Sequence, residues 1–343
     1  MVRAKTTLRD VAERSGFSIT TVSHVLNDVP GKRIPSATRD RVRAAARELS
    51  YRPNLLAQGL RTQRSNTLGF VSDQISTTPH AGLTILGAQD AAAEHGSLLL
   101  LMNSGTDPEL EDREIRALLD RRVDGIIYAA EYHRVVTLPE ALQDSHAVLL
   151  DARTADAQAM SVVPDEVDGA INAVRELAAH GHRRIGFVTN AMDIPATVGR
   201  MEGFRRGLKE AHLRFQRALV SADVSEAEGG YRAAAVLLDL SEPPTALFCF
   251  NDRMAMGAYQ AAAERGLRIP DDISIVGFDN QEIIAASLRP GLSSVALPHY
   301  EMGRWAVDAL IRLIESDGAA PLEQIEMSCP LVRRASVAPP RRA

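Results

Sequence analysis

Two cysteines, Cys249 and Cys329, occur in 343 residues. That is too few for a disulfide framework or a cysteine-built metal centre, and a reduced pair of small core residues is the expected state. Aromatic residues are scarce at 4%, with Trp305 the single tryptophan. It shares a helical stripe with Met302, Ala309 and Leu313, so it reads as core or subunit contact. No window reaches the roughly 18 apolar residues of a membrane span, and no apolar stretch of signal-peptide length follows the N-terminal Met-Val-Arg-Ala-Lys. A cytoplasmic protein with no membrane partner is expected. Catalytic signatures are also missing: there is no phosphate-binding Gly-x-x-x-x-Gly-Lys-Ser/Thr loop, Gly-x-Ser-x-Gly elbow, Gly-x-Gly-x-x-Gly turn or His-Glu-x-x-His pair. The nine histidines are scattered. His180 and His182 flank Gly181 in what reads as a surface turn, and two ligands cannot complete a zinc shell. No metal and no cofactor are implied.

What the chain does have is a charge asymmetry. Residues 1–64 hold 13 Lys+Arg against 5 Asp+Glu, a balance of +8 that leaves −13 on the remainder. A small basic head is an electrostatic footprint for phosphates, whereas the acidic remainder would be repelled by DNA and must serve another purpose. At 45% hydrophobic the chain can bury a sizeable core, and its length predicts two or three compact units of about 100–200 residues each.

The basic head coincides with two short helices joined by a tight turn. Leu8, Val11 and Ala12 recur at helical spacing, Gly16 supplies the turn, and Ser18 is a good N-cap. From Ile19 the second helix buries Val22, Val25 and Leu26 and turns Ile19, Thr20, Ser23, His24 and Asn27 outward. A third helix, read from a Ser36 cap through Val42, Ala45, Ala46 and Leu49, closes a miniature core. Small helical bundles also use glycine turns and capping serines, and the coincident basic run is what favours a helix-turn-helix DNA reader.

Beyond residue 64, short apolar runs alternate with amphipathic helices. Strands are predicted at Leu68–Ser72, Leu98–Met102, Gly125–Tyr128, Ala147–Leu150, Ser161–Val163, Ile185–Thr189, Ala246–Phe250 and Ser274–Phe278. Helices are predicted at Ala81–His95, Leu110–Arg121, Val167–His180, Gly199–Ala211, Ser225–Leu240 and Arg253–Arg265. This alternation predicts doubly wound parallel sheets covered on both faces, which bind ligands beyond the carboxyl ends of their strands. Three strand ends carry polar clusters there: Ser72-Asp73-Gln74, Asn251-Asp252 and Asp279-Asn280, with Arg200 opening a helix nearby. Carboxylates, a carboxamide and a guanidinium converging on one cleft suit a polyhydroxylated ligand, although Asp or Asn at a strand end also serves to cap the next helix.

These residues resemble the LacI/GalR family of bacterial transcriptional repressors over nearly the whole chain. The markers are Thr7-Leu8-Arg9-Asp10-Val11-Ala12, Thr21-Val22-Ser23-His24-Val25-Leu26-Asn27, Tyr51-Arg52-Pro53-Asn54, His180-Gly181-His182-Arg183-Arg184-Ile185-Gly186-Phe187, Phe250-Asn251-Asp252-Arg253-Met254-Ala255-Met256-Gly257-Ala258 and Ile275-Val276-Gly277-Phe278-Asp279-Asn280. The resemblance implies a three-helix head at 1–50, a hinge helix and linker at 51–65, and a core at 66–343 like the periplasmic sugar-binding proteins. That core has two doubly wound subdomains, one of about 66–163 with 296–326 and one of about 164–294 with 327–343. The chain would cross between them near 164, 295 and 327. It also implies a homodimer on a palindromic double-stranded operator whose affinity is set by a small effector, here a sugar or sugar derivative.

By the same resemblance Ile19, Thr20 and His24 read bases, while Thr7, Ser18, Ser23 and Asn27 touch phosphates or groove edges. Leu8, Thr21 and Tyr51 complete the head's DNA-binding set. Asn54, Ala57 and Leu60 belong to a helix in the minor groove, with Leu60 wedged into the central step. Asp73, Asp151, Arg200, Asn251 and Asp279 match effector positions. Departures from the family concern the ligand. Leu297-Pro298 replaces a common Gln-Pro, and Val224 aligns where an aromatic often stacks on the ligand. His80 and His299 stand where relatives place Phe or Tyr. The loop Asp28–Pro35 is longer than in the family's type member and offers Lys32 and Arg33 to phosphates. An enzyme carrying a DNA-binding appendage would need a positioned acid, base or nucleophile, and none is visible. A transport-binding protein would need export.

Overall fold

The computed structural model describes residues 6–27, 31–51, 64–74 and 81–341. They form two compact units, Met1–Ser65 and Asn66–Ala343.

In the first unit, α1 (Leu8–Ser15), α2 (Ile19–Leu26) and α3 (Ser36–Glu48) enclose Val11, Ala12, Val22, Val25, Val42, Ala45 and Ala46. α1 starts in a capping box: the Thr7 hydroxyl accepts from the Asp10 N–H, and the Asp10 carboxylate accepts from the Thr7 N–H at 2.7 Å. Gly16 ends the helix at φ 77°, a left-handed conformation that a side chain would oppose. Ser18 caps α2 by accepting from the Thr21 N–H at 3.1 Å. The expected Ser36 cap is not seen. Pro35 holds that position with φ −55° and no side-chain cap, because its ring already sets the helical entry, and Ser36 becomes the first helical residue.

The second unit contains two six-stranded sheets. The first uses β1 (Thr67–Ser72), β2 (Leu98–Asn103), β3 (Gly125–Val135), β4 (Ala147–Arg153), β5 (Met160–Pro164) and β11 (Gln324–Met327) in the order β11-β5-β4-β3-β1-β2. The second uses β6 (Ile185–Asn190), β7 (Val220–Asp223), β8 (Ala246–Cys249), β9 (Ser274–Asp279), β10 (Ser293–Ala296) and β12 (Leu331–Val332) in the order β12-β10-β9-β8-β6-β7. All pairings are parallel except that of β10 with the two-residue edge strand β12, a departure from the all-parallel expectation. The chain passes from one sheet to the other after Pro164, after Ala296 and after Met327.

Helices α4 (Ala81–Glu94) and α11 (His299–Glu315) cover one face of the first sheet, burying Met302, Ala306, Val307 and Leu310 against Phe70, Ile127 and Val148. Helix α5 (Pro108–Asp120) covers the other through Ile115 and Leu118 on Val71, Ile126 and Leu149. Both faces are therefore dry, which explains the continuous apolar runs of β1 and β4. Trp305 packs at the edge of the first core. In the second sheet, α6 (Glu166–Ala179), α7 (Pro195–Glu210), α8 (Ala227–Leu238) and α9 (Asp252–Glu264) surround a phenylalanine stack. Phe187 and Phe248 lie 4.7 Å apart and nearly parallel, and Phe248 leads on to Phe278 at 6.4 Å. Cys249 and Cys329 are free and buried, and burial pushes both thiols far above their usual range. Among the described residues no helix is long and apolar enough to cross a membrane.

Candidate DNA-reading head and effector cleft

On the outer face of α2, Ile19 is 47% exposed and Thr20 is exposed, while Ser23, His24 and Asn27 are half-buried. The Asn27 carboxamide donates to the Ser23 carbonyl at 2.8 Å and to its hydroxyl at 3.2 Å, fixing the polar end of this face. Thr7, Ser18 and Thr21 sit at the two helix N-termini, where backbone N–H groups and the helix dipole favour an anion. Leu8 and Tyr51 are partly buried against the head's core. Lys32 and Arg33 are exposed. Arg41 works inside the fold instead: its guanidinium lies 5.1 Å from the Phe17 ring centroid and donates to the Ser15 carbonyl at 3.1 Å, clamping the turn. Asn54, Ala57, Leu60 and His80 lie outside the described residues.

The carboxyl ends of both sheets face a cavity of about 120 Å³, where Asp151, Arg200, Asn251, Asp279 and His299 meet. Arg200 is its centre. It lies in the second turn of α7 rather than at the helix start, because α7 begins four residues earlier than expected, at Pro195. The Arg200 Nε donates to Glu166 Oε2 at 2.7 Å, and Nη1 lies 3.5 Å from Asp279 Oδ1 and bonds the Phe250 carbonyl. Its guanidinium is held over the Phe278 and Phe250 rings, 3.7 and 4.3 Å from their centroids. Glu166, the first residue of α6, is buried; burial raises its carboxyl pKa while Arg200 draws it back.

Glycine brings these two helices together. A Cβ at Gly199 would lie 2.7 Å from Glu166 Cβ, and one at Gly203 would strike the Val167 carbonyl oxygen. Asp151 and Asp279 adopt φ 55° and 95°, left-handed backbone that is uncommon outside glycine and that gathers at functional sites. Asp151 is 5% exposed, and its Oδ1 accepts no hydrogen bond among the described residues. Burial, with Glu166 adding repulsion, pushes its carboxyl pKa up to about 8.

Other expected positions divide. Asn251 lines the cavity but also caps α9, accepting from the Met254 N–H at 2.8 Å and donating to the Ser225 carbonyl at 2.9 Å. Asp73 does not line the cavity: its Oδ2 accepts from Arg134 at 2.6 Å and its Oδ1 from the Gln74 N–H at 2.8 Å. Val224 is 51% exposed and does not line the cavity, whereas the adjacent Ser225 does. The rings at the cavity come from Tyr132, His133, Phe250 and the expected His299. Tyr132 and His133 were not anticipated. They project where β3 bulges, four of its residues standing opposite Asp151 between the pairs Ala129–Leu150 and Arg134–Ala152. Burial pushes the His133 imidazole down to about 4, so it is neutral near pH 7. The turn at Gly181 is present, but His182 is only 1% exposed, bonded to Thr245, Ser274 and the Ala338 carbonyl, and is not a surface residue.

An operator-reading head joined to a ligand-binding α/β core defines a small-molecule-controlled regulator of transcription. Residues 7–54 match the bacterial regulatory proteins of the lacI family, and residues 174–337 match the periplasmic binding protein-like domain. The chain is 33% identical over 338 residues to the HTH-type transcriptional repressor PurR of Vibrio atlanticus (strain LGP32), spanning 96% of this chain and 98% of that protein. Among solved structures, it is similar to the lac repressor dimer bound to operator and the anti-inducer ONPF, at 27% identity and a TM-score of 0.78, over 98% of this chain and 100% of that one. It is also similar to the transcriptional regulator CelR in complex with cellobiose, at 28% identity and a TM-score of 0.68, over 97% of this chain and 100% of that one. The chain belongs to the lacI family: it is a ligand-responsive DNA-binding transcriptional regulator, not an enzyme.

Proposed function

We propose that this regulator is a cytoplasmic homodimeric repressor of sugar-utilisation genes, binding a palindromic operator whose affinity changes when a polyhydroxylated effector fills the cleft. The observation that carries the ligand class is the cavity itself, where carboxylates, two carboxamides, imidazoles and two guanidiniums converge beside the Tyr132 and Phe250 rings. Sugar hydroxyls are donors and acceptors at once and need such fixed partners when desolvated. The cellobiose complex of the similar regulator CelR supports this class. In the head, Ile19, Thr20 and His24 read base edges, Thr7, Ser18, Ser23 and Asn27 touch phosphates or groove edges, and Lys32 and Arg33 hold phosphates. Asn54, Ala57 and Leu60 act in the minor groove. Two half-sites engaged by one dimer make the second contact intramolecular, which is why a single head suffices poorly.

Selection of binding sites from random duplexes tests the operator half. Replacing His24 should change the preferred sequence, and Lys32→Gln should weaken all sequences alike. The reverse pattern would mean that α2 is not the base reader. Titrating the selected operator in the presence of neutral mono- and disaccharides tests the ligand half. An active sugar should shift operator affinity by about 5–150-fold, and a panel without any effect would overturn the sugar reading.

A further inference from the structure

The charge balance of the cleft does not suit every sugar derivative. Four carboxylates line it, Glu131, Asp151, Glu166 and Asp279, against the two guanidiniums of Arg200 and Arg253. Arg200 is committed on every side, while Arg253 is paired through one terminal nitrogen and its Nε makes no hydrogen bond among the described residues. Arg253 lies 2.8 Å from Glu226, and Arg200 bonds Glu166 and the Phe250 carbonyl with aromatic rings beside it. A phosphate or carboxylate entering here would find Arg200 committed and, even with Asp151 protonated, three carboxylates against two guanidiniums, and buried like charges are costly. The Asp151 carboxyl, buried and with one oxygen accepting no hydrogen bond among the described residues, has the opposite requirement. An ammonium group offers three donors and no acceptor, so it fits a wall of this kind.

We propose that the effector carries a protonated amine on a polyhydroxylated frame, as an amino sugar or amino polyol does, and that the cleft excludes anionic sugars. This rests on the sugar reading above and narrows it. Asp151 and Glu166 set the preference: Asp151 as the acceptor for the ammonium, Glu166 as the partner that withholds Arg200 from anions. The groups whose charge acts on Asp151 are Glu166 from α6, Arg200 from α7, Asp279 at the end of β9 and Asp73 at the end of β1, the last paired with Arg134. With its pKa near 8, Asp151 is largely protonated in the free protein at neutral pH. A bound ammonium would draw that proton off into the buffer.

The full-length chain is titrated calorimetrically with glucosamine, galactosamine and mannosamine, each beside its parent sugar and the matching phosphate ester and uronic acid, in two buffers of different ionisation heat. The amine should bind at least about tenfold more tightly than its parent sugar, release a proton, and leave the anions without measurable binding. Asp151→Asn should bring amine and parent sugar to similar affinity, and Glu166→Gln should let an anion bind. Urea unfolding of both variants checks that the core folds. Parent sugars binding as well as amines, or an anion binding best, would overturn the inference while the sugar reading stands. If no member of the panel binds, both fall.

Discussion

At the residue scale, two buried carboxyls tie stability to pH. Asp151 and Asp252 both have their carboxyl pKa pushed up to about 8 by burial, Asp151 further by Glu166 and Asp252 further by Asp279. A carboxyl whose folded pKa exceeds its unfolded value binds more protons when folded. Its contribution is complete below about pH 4 and is lost as pH rises through 8. The buried imidazoles His133 and His182 are shifted down, so their contribution rises with pH up to about 6.5. Between pH 6.5 and 8 the two aspartates therefore dominate. Urea unfolding should show stability falling over that window by at most about 1.4 kcal/mol per pH unit for each carboxyl, and Asp151→Asn should flatten the slope. A second prediction concerns Arg200. Removing it strands Glu166 and Asp279, so Arg200→Ala should cost about 3–5 kcal/mol of core stability, as breaking a buried ion pair does. Adding Glu166→Gln should return part of that loss in the same unfolding assay. Asp279 was legible in the sequence because polar residues that interrupt apolar runs at strand ends stand out, and Arg200 because a basic residue was expected at the start of the helix beyond β6. Glu166 was not, since an acid in the first turn of an amphipathic helix is ordinary. His182 was misread because its partners lie 63, 92 and 156 residues away.

At the scale of elements, the site depends on how closely α7 lies on α6. Gly199 and Gly203 present backbone to α6, and that approach brings Arg200 within reach of Glu166. A methyl group at position 203 would collide with the Val167 carbonyl, a backbone atom that cannot swing aside. Gly203→Ala should therefore move α7 outward, destabilise the core by about 1–3 kcal/mol as overpacking does, and weaken effector binding. The effector-free chain should keep its operator affinity, because the head folds around its own core. Calorimetry and operator titration on one preparation separate the two effects, and unchanged effector affinity would show that the α6–α7 contact does not set the site. The long, doubly covered strands and their helices were readable because burial on both faces writes uninterrupted apolar runs. β7, β10, β11 and β12 were missed, having two to four residues each and no period to detect. The β3 bulge was hidden for a related reason. Alternation along one strand does not show where its partner falls out of register.

At the scale of the whole molecule, the +8 on residues 1–64 and −13 beyond them divide the work between two kinds of electrostatics. Phosphates meet the head in water, where binding is driven by release of condensed counterions and weakens linearly on a log–log salt plot. With about six or more phosphates held across a dimer, affinity should fall on the order of a thousandfold or more between about 50 and 200 mM salt. Lys32→Gln should shallow the slope by about one per protomer, because each head then neutralises one phosphate fewer. The acidic remainder adds repulsion toward DNA that salt screens, so it opposes the trend without reversing it. The cleft is different. Asp151, Glu166 and Arg200 are buried, Arg200 beside Phe250 and Phe278, out of reach of most screening ions. Operator titration at several salt concentrations, with and without a saturating effector, should thus give two steep lines of nearly equal slope, offset by an effector-dependent constant. Lines of different slope would mean that the effector changes how many phosphates are held, and a flat line would remove the head from DNA binding altogether.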